Sequence, residues 1–407
     1  MNLSLKQRLF YFFPTLLCFC LPFGSLVLSG LIVLWTIVSL FNIDKEQFKK
    51  GIANKNLWWL LVFFIYTLIS ALFSSNKAEA GFSIEIKMCF LLFPFLFFCF
   101  KWPIAVIKRC IVSFVSGCFF ACLVLVARAC YYATTGHTEY FFYTQFSLFI
   151  HASYFAMYLI LAIALIVLLY PDWFKTQKNV TYTSYLFVIT FIITIFLCSS
   201  KLGLISFFIS APLISFYKYR SLLNVKKISY LIIGIIVLGF FSYKLFPEAF
   251  NRLSSLTTVS SSSSSLDKTS SESTTVRILI WEQCIQIMKD NFWFGTGVGD
   301  ANDALYGSYE ANGLTGAFSH KFNAHNQYFQ TFIGLGVIGF LILLSLTVGY
   351  LVKGIIKKHF LLFLFSLLIV LNFTVESMLQ ASAGVLFFVF FFCLFNLVNE
   401  EELLSEG

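Results

Sequence analysis

Thr275-Val-Arg277-Ile-Leu-Ile-Trp281 and Phe322-Asn-Ala-His325-Asn326-Gln-Tyr328 lie inside one long polar interruption, from Pro247 to Gln330, in a chain that is otherwise a succession of hydrophobic runs. Chemistry that needs water, adaptable backbone and titratable groups has few other places to go, so this interruption is read as the active region. The 407 residues around and within it are 59% hydrophobic and only 12% charged, about half the ~25% charge share of a soluble domain. Apolar runs of roughly 15 to 23 residues recur between short polar connectors, each long enough to cross a hydrocarbon core of about 30 Å as a helix. An open sheet is excluded because lipid cannot satisfy its exposed backbone groups. The sequence therefore predicts an all-α polytopic membrane protein.

About twelve transmembrane helices are expected, near 10–22, 24–41, 57–75, 86–100, 110–132, 152–170, 181–199, 202–217, 228–246, 331–352, 360–375 and 381–398. Pro22-Phe-Gly24 and Ser199-Ser-Lys-Leu-Gly203 could each be a kink inside one helix rather than a turn between two, which leaves residues 10–41 as one span or two. The expected organisation is an N-terminal transmembrane bundle of about nine helices over 1–246, a large loop over 247–330 containing short helices, and C-terminal transmembrane helices with a short tail over 331–407. Lys6, Arg8 and the Phe/Leu/Cys-rich run after them imitate a signal peptide. No small-residue cleavage site stands out and further spans follow at once, so the run is read as a retained first span. Of the eleven cysteines, only Cys284 lies in the long loop; nearly all the rest sit in apolar runs as small hydrophobes, and no disulfide framework is expected.

Lysine and arginine fall on alternate connectors: Lys45, Lys49, Lys50 and Lys55; Lys101, Lys108 and Arg109; Lys175 and Lys178; Lys218, Arg220, Lys226 and Lys227; Lys353, Lys357 and Lys358. The positive-inside rule puts these in the cytoplasm, with both termini, and puts the long loop outside. Ser199 to Lys201, the connector from Ala133 to Ile150, and Glu376 then share the outer face. The net charge of +9 is mostly this topology signal and gives no reason to invoke nucleic acid.

The loop has two textures. Residues 254–275 form a Ser/Thr-rich linker, including the unbroken run Ser260 to Ser265, that buries nothing. From Val276 to Asp290 the pattern becomes a short amphipathic helix with Thr274 or Thr275 as N-cap, opening a catalytic segment over 276–330. Arg277, Trp281, Cys284 and Met288 share one face of it. An arginine on the packed side either snorkels or needs an anionic partner, which can be protein or ligand. Gly295-Thr-Gly297-Val-Gly299-Asp300 superficially offers a phosphate loop, but no strand-helix-strand unit surrounds it and a tight turn is the expectation. Asp300, Asp303, Glu310, His320 and His325 match no trusted metal-ligand spacing, so no metal is assigned.

His320 and His325 are five apart and do not share a helix face. His325 sits at the membrane surface, near the N-terminus of the next span. An imidazole, with an ordinary pKa of about 6.5, is a credible base there, though a lone surface histidine is more often inert. Lys201, at the junction of two spans, is costly unless it snorkels or binds an anion. His151 opens the span His151-Ala-Ser-Tyr, Glu376 can pair with one of these cations, and Arg128 reads as snorkelling to headgroups. Several cations on one membrane face fit an anionic substrate of that leaflet, such as a lipid-linked diphosphate.

Many spans, one large outer loop near the C-terminal end, an Arg-x-x-x-Trp helix (Arg277, Trp281), a Gly-rich turn, and His325-Asn326 running into the Gly336-Val-Ile-Gly339 span together resemble the O-antigen ligase and polymerase superfamily. The match is best from about His151 to Gly384 and is hydropathy alone in the first hundred or so residues. The resemblance implies a metal-independent, cofactor-free glycan transfer on the periplasmic face of a bacterial inner membrane, with Arg277 and Lys201 binding the diphosphate of an undecaprenyl-linked donor. His325 would activate the acceptor hydroxyl, with Asn326, Trp281, His151, Glu376 and His320 as candidate supporting residues. The acceptor it implies is lipid A-core, as in lipopolysaccharide biosynthesis, or another glycan. Repeat-unit polymerisation and transfer to protein share that chemistry. Lys201 stands where the family has Arg, losing the bidentate fork, and Gly334 stands where Glu is frequent. A transporter or flippase is the more distant alternative; scarce mid-membrane charge, no evident internal repeat and a large polar loop argue against it.

Overall fold

The structure is a computed structural model and describes residues 4–24, 26–174, 177–220, 267–269 and 273–405. Every regular element among these residues is helical. In chain order they are α1 (Leu5–Cys20), α2 (Leu26–Leu40), α3 (Lys45–Ile52), α4 (Lys55–Phe73), α5 (Lys77–Lys87), α6 (Cys89–Phe98), α7 (Ile104–Thr134), α8 (Tyr143–Phe146), α9 (Ala152–Trp173), α10 (Lys178–Leu197) and α11 (Lys201–Tyr219). After the long interruption come α12 (Ser273–Asp290), α13 (Ala301–Ala311), α14 (Thr315–Ser319), α15 (Gln327–Leu344), α16 (Tyr350–Ile356), α17 (Phe360–Phe373), α18 (Ser382–Leu397) and α19 (Glu400–Ser405).

Seven helices among the described residues are long and apolar enough to cross a membrane: α4, α5 with α6, α7, α9, α10, α11, and α15 with α16. Shorter apolar helices stand at Val27–Leu40, Phe360–Phe373 and Ser382–Leu397, where spans are expected. The span expected over 228–246 and most of the Ser-rich linker lie outside the described residues. Both ambiguous junctions separate two helices. Pro22 and Gly24 divide α1 from α2, and Ser199 divides α10 from α11. Ser200 caps α11 by accepting a hydrogen bond from the Gly203 N–H at 3.1 Å.

Helix α9 is the axis of the bundle. It is buried almost throughout and packs on α7, α10, α11 and α17, while α10 keeps a large exposed apolar face at the rim. Aromatic rings fill the space beside α9, with Tyr158 stacked on Phe387 at 4.2 Å and Phe114 edge-on to Phe391 at 4.8 Å. All eleven cysteines are free, and Cys18, Cys118, Cys122 and Cys393 sit in this core.

The connectors sort onto two ends. At one end, Lys353 donates to Asn56 and Asn396, Lys218 pairs with Asp172, and the Tyr11 hydroxyl donates to the Lys101 carbonyl. At the other, the Ser75 and Asn76 N–H groups donate to Asp300, Lys201 reaches Thr274, and Arg277 pairs with Glu376. Among the described residues, the connectors carrying Lys101, Lys218 and Lys353 thus lie apart from the polar loop, which meets the turns at Ser75, Lys201 and Glu376.

Helices α12, α13 and α14 form a second, separate core with the start of α15, built from Val276, Ile280, Cys284, Leu305, Tyr309 and Ile333. It is fastened to the bundle where α15 breaks. Gly336 adopts φ 64°, ψ −168°, and the carbonyls freed there accept new donors: Gly334 takes the Gly297 N–H and the Ser70 hydroxyl, Leu335 takes the Tyr66 hydroxyl, and Ile333 takes the Thr296 N–H. A broken helix is tolerated near lipid only when its backbone is re-satisfied in this way. The turn through Gly295 and Gly297 is therefore a docking turn; its backbone comes so close that a Cβ on Gly336 would overlap the Trp293 carbonyl.

Gly336→Ala should destabilise the protein by about 1–3 kcal/mol from backbone strain alone, with the overlap adding to it. The thermal midpoint in nanodiscs measures this, and an unchanged midpoint would show that the break in α15 is not required.

Candidate active site

The site is assembled at the loop-bearing end from segments far apart in the chain. Helix α12 begins at Ser273, two or three residues before the expected start, so Thr274 and Thr275 lie in its first turn instead of capping it. The Thr274 hydroxyl accepts a hydrogen bond from Lys201 Nζ at 2.7 Å, which ties α12 to the α10–α11 junction. One turn on, Arg277 turns from the loop core toward the bundle and meets Glu376, with Nη2 3.0 Å from Oε1. The anionic partner the sequence calls for is therefore a carboxylate of the chain itself. Arg277 Nε is buried and has no hydrogen-bond partner among the described residues.

Glu376 is the hub. It lies between α17 and α18 with only 7% of its surface exposed. Besides Arg277, its Oε1 accepts from the Ser153 hydroxyl at 3.3 Å, and Ser153 in turn accepts from Ser200 at 3.1 Å. Its Oε2 faces His325 Nδ1 at 3.9 Å, an ionic contact longer than a direct hydrogen bond. Burial alone would raise the Glu376 carboxyl, but the imidazoles of His325 and His151 and the Arg277 guanidinium together outweigh it and hold the group at about 2. The carboxylate is charged at neutral pH.

His325 is held by its backbone. Its φ of 45° is in the left-handed region that a non-glycine residue rarely adopts, and the Asn323 side chain stabilises the turn by accepting the His325 N–H at 2.9 Å. Trp281 Nε1 donates to the Ala324 carbonyl at 2.9 Å, and the Gln330 side chain accepts the Ala324 N–H, pinning the residue before His325 from two sides. Asn326 caps α15 through the Phe329 N–H at 3.1 Å and gives its own N–H to the Ser377 hydroxyl. Trp281 and Asn326 thus orient the histidine loop.

His151 caps α9, accepting the Ser153 N–H at 3.4 Å, and joins His325, Glu376 and Ser377 in lining a cavity of about 350 Å³. Of the candidate site residues, Arg277 and His325 meet Glu376 directly, His151 lines the same cavity, and Lys201 is tied to α12, three residues before Arg277, through Thr274. His320 does not join them: it is exposed at the end of α14, bonded to the Gly316 carbonyl and stacked on Phe322. Arg128 donates to the Gln145 carbonyl at 2.7 Å and lies over the Tyr140 ring. Asp300 and Asp303 bind the Ser75–Asn76 turn, and no group of three metal-ligating side chains occurs among the described residues.

Ser153, Ser200 and Ser377 enter the sequence reading only inside the stretches around His151, Lys201 and Glu376, and Asn323 only inside that before His325, none with a role of its own. Only Asn323 carried a local signal, the Asx-turn spacing two residues ahead of His325. The serines matter through partners 47 to 223 residues away, a relation no local pattern records. Chemically, an ionised carboxylate beside an imidazole orients it and stabilises it once it has taken up a proton, while a guanidinium with donors to spare can bind phosphate oxygens.

Fold and site together define a helical protein with seven candidate membrane spans among the described residues and a cation-rich centre at the loop-bearing end. Residues 186–344 match the model of a family described as O-antigen ligase, a family of glycan-transferring enzymes. The chain is O-antigen-ligase-like over that region, which takes in Lys201, Arg277 and His325 and leaves His151 and Glu376 outside it. Comparison with curated proteins found no match.

The depressed Glu376 carboxyl has a signed consequence for stability. As pH falls the unfolded chain takes up this proton first, so the stabilisation is complete above about pH 4.5 and is lost toward about pH 2. Glu376→Gln should be less stable than wild type at neutral pH, because Arg277 is left half-buried without its counter-charge. It should also lose part of the acid-induced fall in thermal midpoint. An acid limb identical in variant and wild type would remove Glu376 from this account.

Proposed function

We propose that the protein transfers a glycan from an undecaprenyl-diphosphate donor to an acceptor hydroxyl at the outer face of the bacterial inner membrane, ligating O-antigen to lipid A-core. The observation that carries this reading is the juxtaposition of Arg277 and His325 on the two oxygens of Glu376. The description of the matching family supports the ligase reading in particular.

In this reading His325 takes the proton of an acceptor hydroxyl as the oxygen attacks the anomeric carbon of the donor. The new glycosidic C–O bond forms as the bond from the anomeric carbon to the diphosphate oxygen breaks, and the electron pair leaves with the lipid diphosphate. Glu376 holds the imidazole in place and balances its charge after proton uptake. Arg277 and Lys201 stabilise the charge that grows on the leaving group, Thr274 and Ser200 setting the position of Lys201. The outer face is supported by the connectors carrying Lys101, Lys218 and Lys353 lying apart from the polar loop.

Loss of one preorganised cation costs roughly 10²–10³ in rate, and loss of a general base about 10²–10⁴. Arg277→Ala and His325→Ala should therefore each lower transfer by at least about a hundredfold, with folding checked by monodisperse elution. Purified protein given an undecaprenyl-diphosphate glycan, with and without lipid A-core, tests both. Product on lipid A-core that vanishes in His325→Ala is the expected result; longer lipid-linked chains without acceptor would make it a polymerase. Wild-type transfer by Arg277→Ala would sink the assignment of that residue, and no bond formation with any pair would return the weight to transport.

A further inference from the structure

The cavity beside Glu376 has a chemistry of its own. It opens between the α1–α2 turn, the segment leading into α9 and the start of α18, and its lining includes His325 and Glu376 but neither Arg277 nor Lys201 among the described residues. Its lining includes two aromatic residues, Phe149 and Tyr154, together with Ser377, Ser382 and Asn323. Phe149 is braced edge-on against Phe23 at 5.2 Å, and Tyr154 is almost fully buried, so both rings are fixed surfaces.

We propose that this cavity is the acceptor subsite and that it takes an uncharged sugar ring, selecting against acceptors that carry phosphate or carboxylate on that ring. The inference rests on the glycan-transfer reading and names the substrate class at one half of the same site. A pyranose has an apolar C–H face and a rim of hydroxyls; fixed aromatic rings answer the first, and hydroxyl and amide groups the second. Anion recognition requires Arg or Lys forks, and the described lining contains neither; apart from its two histidines its charged group is the Glu376 carboxylate, already paired with Arg277. Glu376 divides the work: Oε1 serves Arg277 on the diphosphate side, and Oε2 faces His325, whose imidazole lines the cavity. An acceptor hydroxyl seated there has the base as its neighbour, and the cations are kept for the leaving group.

Saturation-transfer NMR on the full-length protein in nanodiscs tests this without requiring turnover. The probes are a neutral methyl hexoside, its 6-phosphate and the matching uronate, at about pH 8 where free imidazole is neutral. The neutral ring should bind at least about tenfold more tightly than either anion, and inorganic pyrophosphate should not displace it. Ser382→Tyr, which fills the cavity, and Phe149→Ala, which removes a ring face, should each weaken neutral-ring binding at least about fivefold while the protein elutes as wild type. Equal or tighter binding of the anions, no glycoside binding by wild type, or binding indifferent to both substitutions would overturn the proposal, and displacement by pyrophosphate would give the cavity to the donor. The parent reading fails separately: if His325→Ala still transfers glycan while the neutral-ring preference stands, the base is wrong and the subsite is not.

Discussion

A charged carboxylate almost out of contact with water is the constraint on which the loop-bearing half of this protein depends. Glu376 can stay ionised in that position only if cations and donors surround it, and the chain supplies them from four distant places: Arg277 from the loop, His325 from the entry to α15, His151 and Ser153 from α9, and Ser200 behind Ser153. Each group that satisfies the carboxylate is thereby placed. The site is less a set of residues on a scaffold than the solution to one electrostatic problem at the membrane surface.

That solution would drift if the loop were only tethered. The loop core of α12 to α14 is instead keyed into the break in α15, where backbone from the Gly295–Gly297 turn replaces the hydrogen bonds that a continuous helix would have made. Asp300 adds a second clamp on the N–H groups of Ser75 and Asn76. Trp281 carries the same rigidity to the histidine loop, reaching from α12 to the Ala324 carbonyl. The strained backbone of His325 persists because these contacts over-determine it.

Much of this was legible in the residues. Hydropathy located the helices, because a span must be apolar along its whole length whatever it packs against. The alternation of lysines sorted the connectors, and the helical face shared by Arg277 and Trp281 pointed the arginine at an unnamed anion. Thr274 shows the limit at short range: a capping residue by pattern, it lies in the first turn of α12, where its hydroxyl accepts from Lys201. His320 shows it at longer range: both histidines lie in the same loop segment, yet one stacks on the half-buried Phe322 and the other meets Glu376.

What the sequence determined by itself was the helical class, the two-sided distribution of charge, and a short roster of titratable groups on one face. These follow from transfer of side chains and backbone between water and lipid, which each segment settles alone. Only the tertiary structure decided which of those groups meet. Pairing across 99 residues between Arg277 and Glu376, or across 223 between Ser153 and Glu376, is fixed by how helices stack and where α15 breaks. Those contacts arise from packing between segments, and no segment carries them alone.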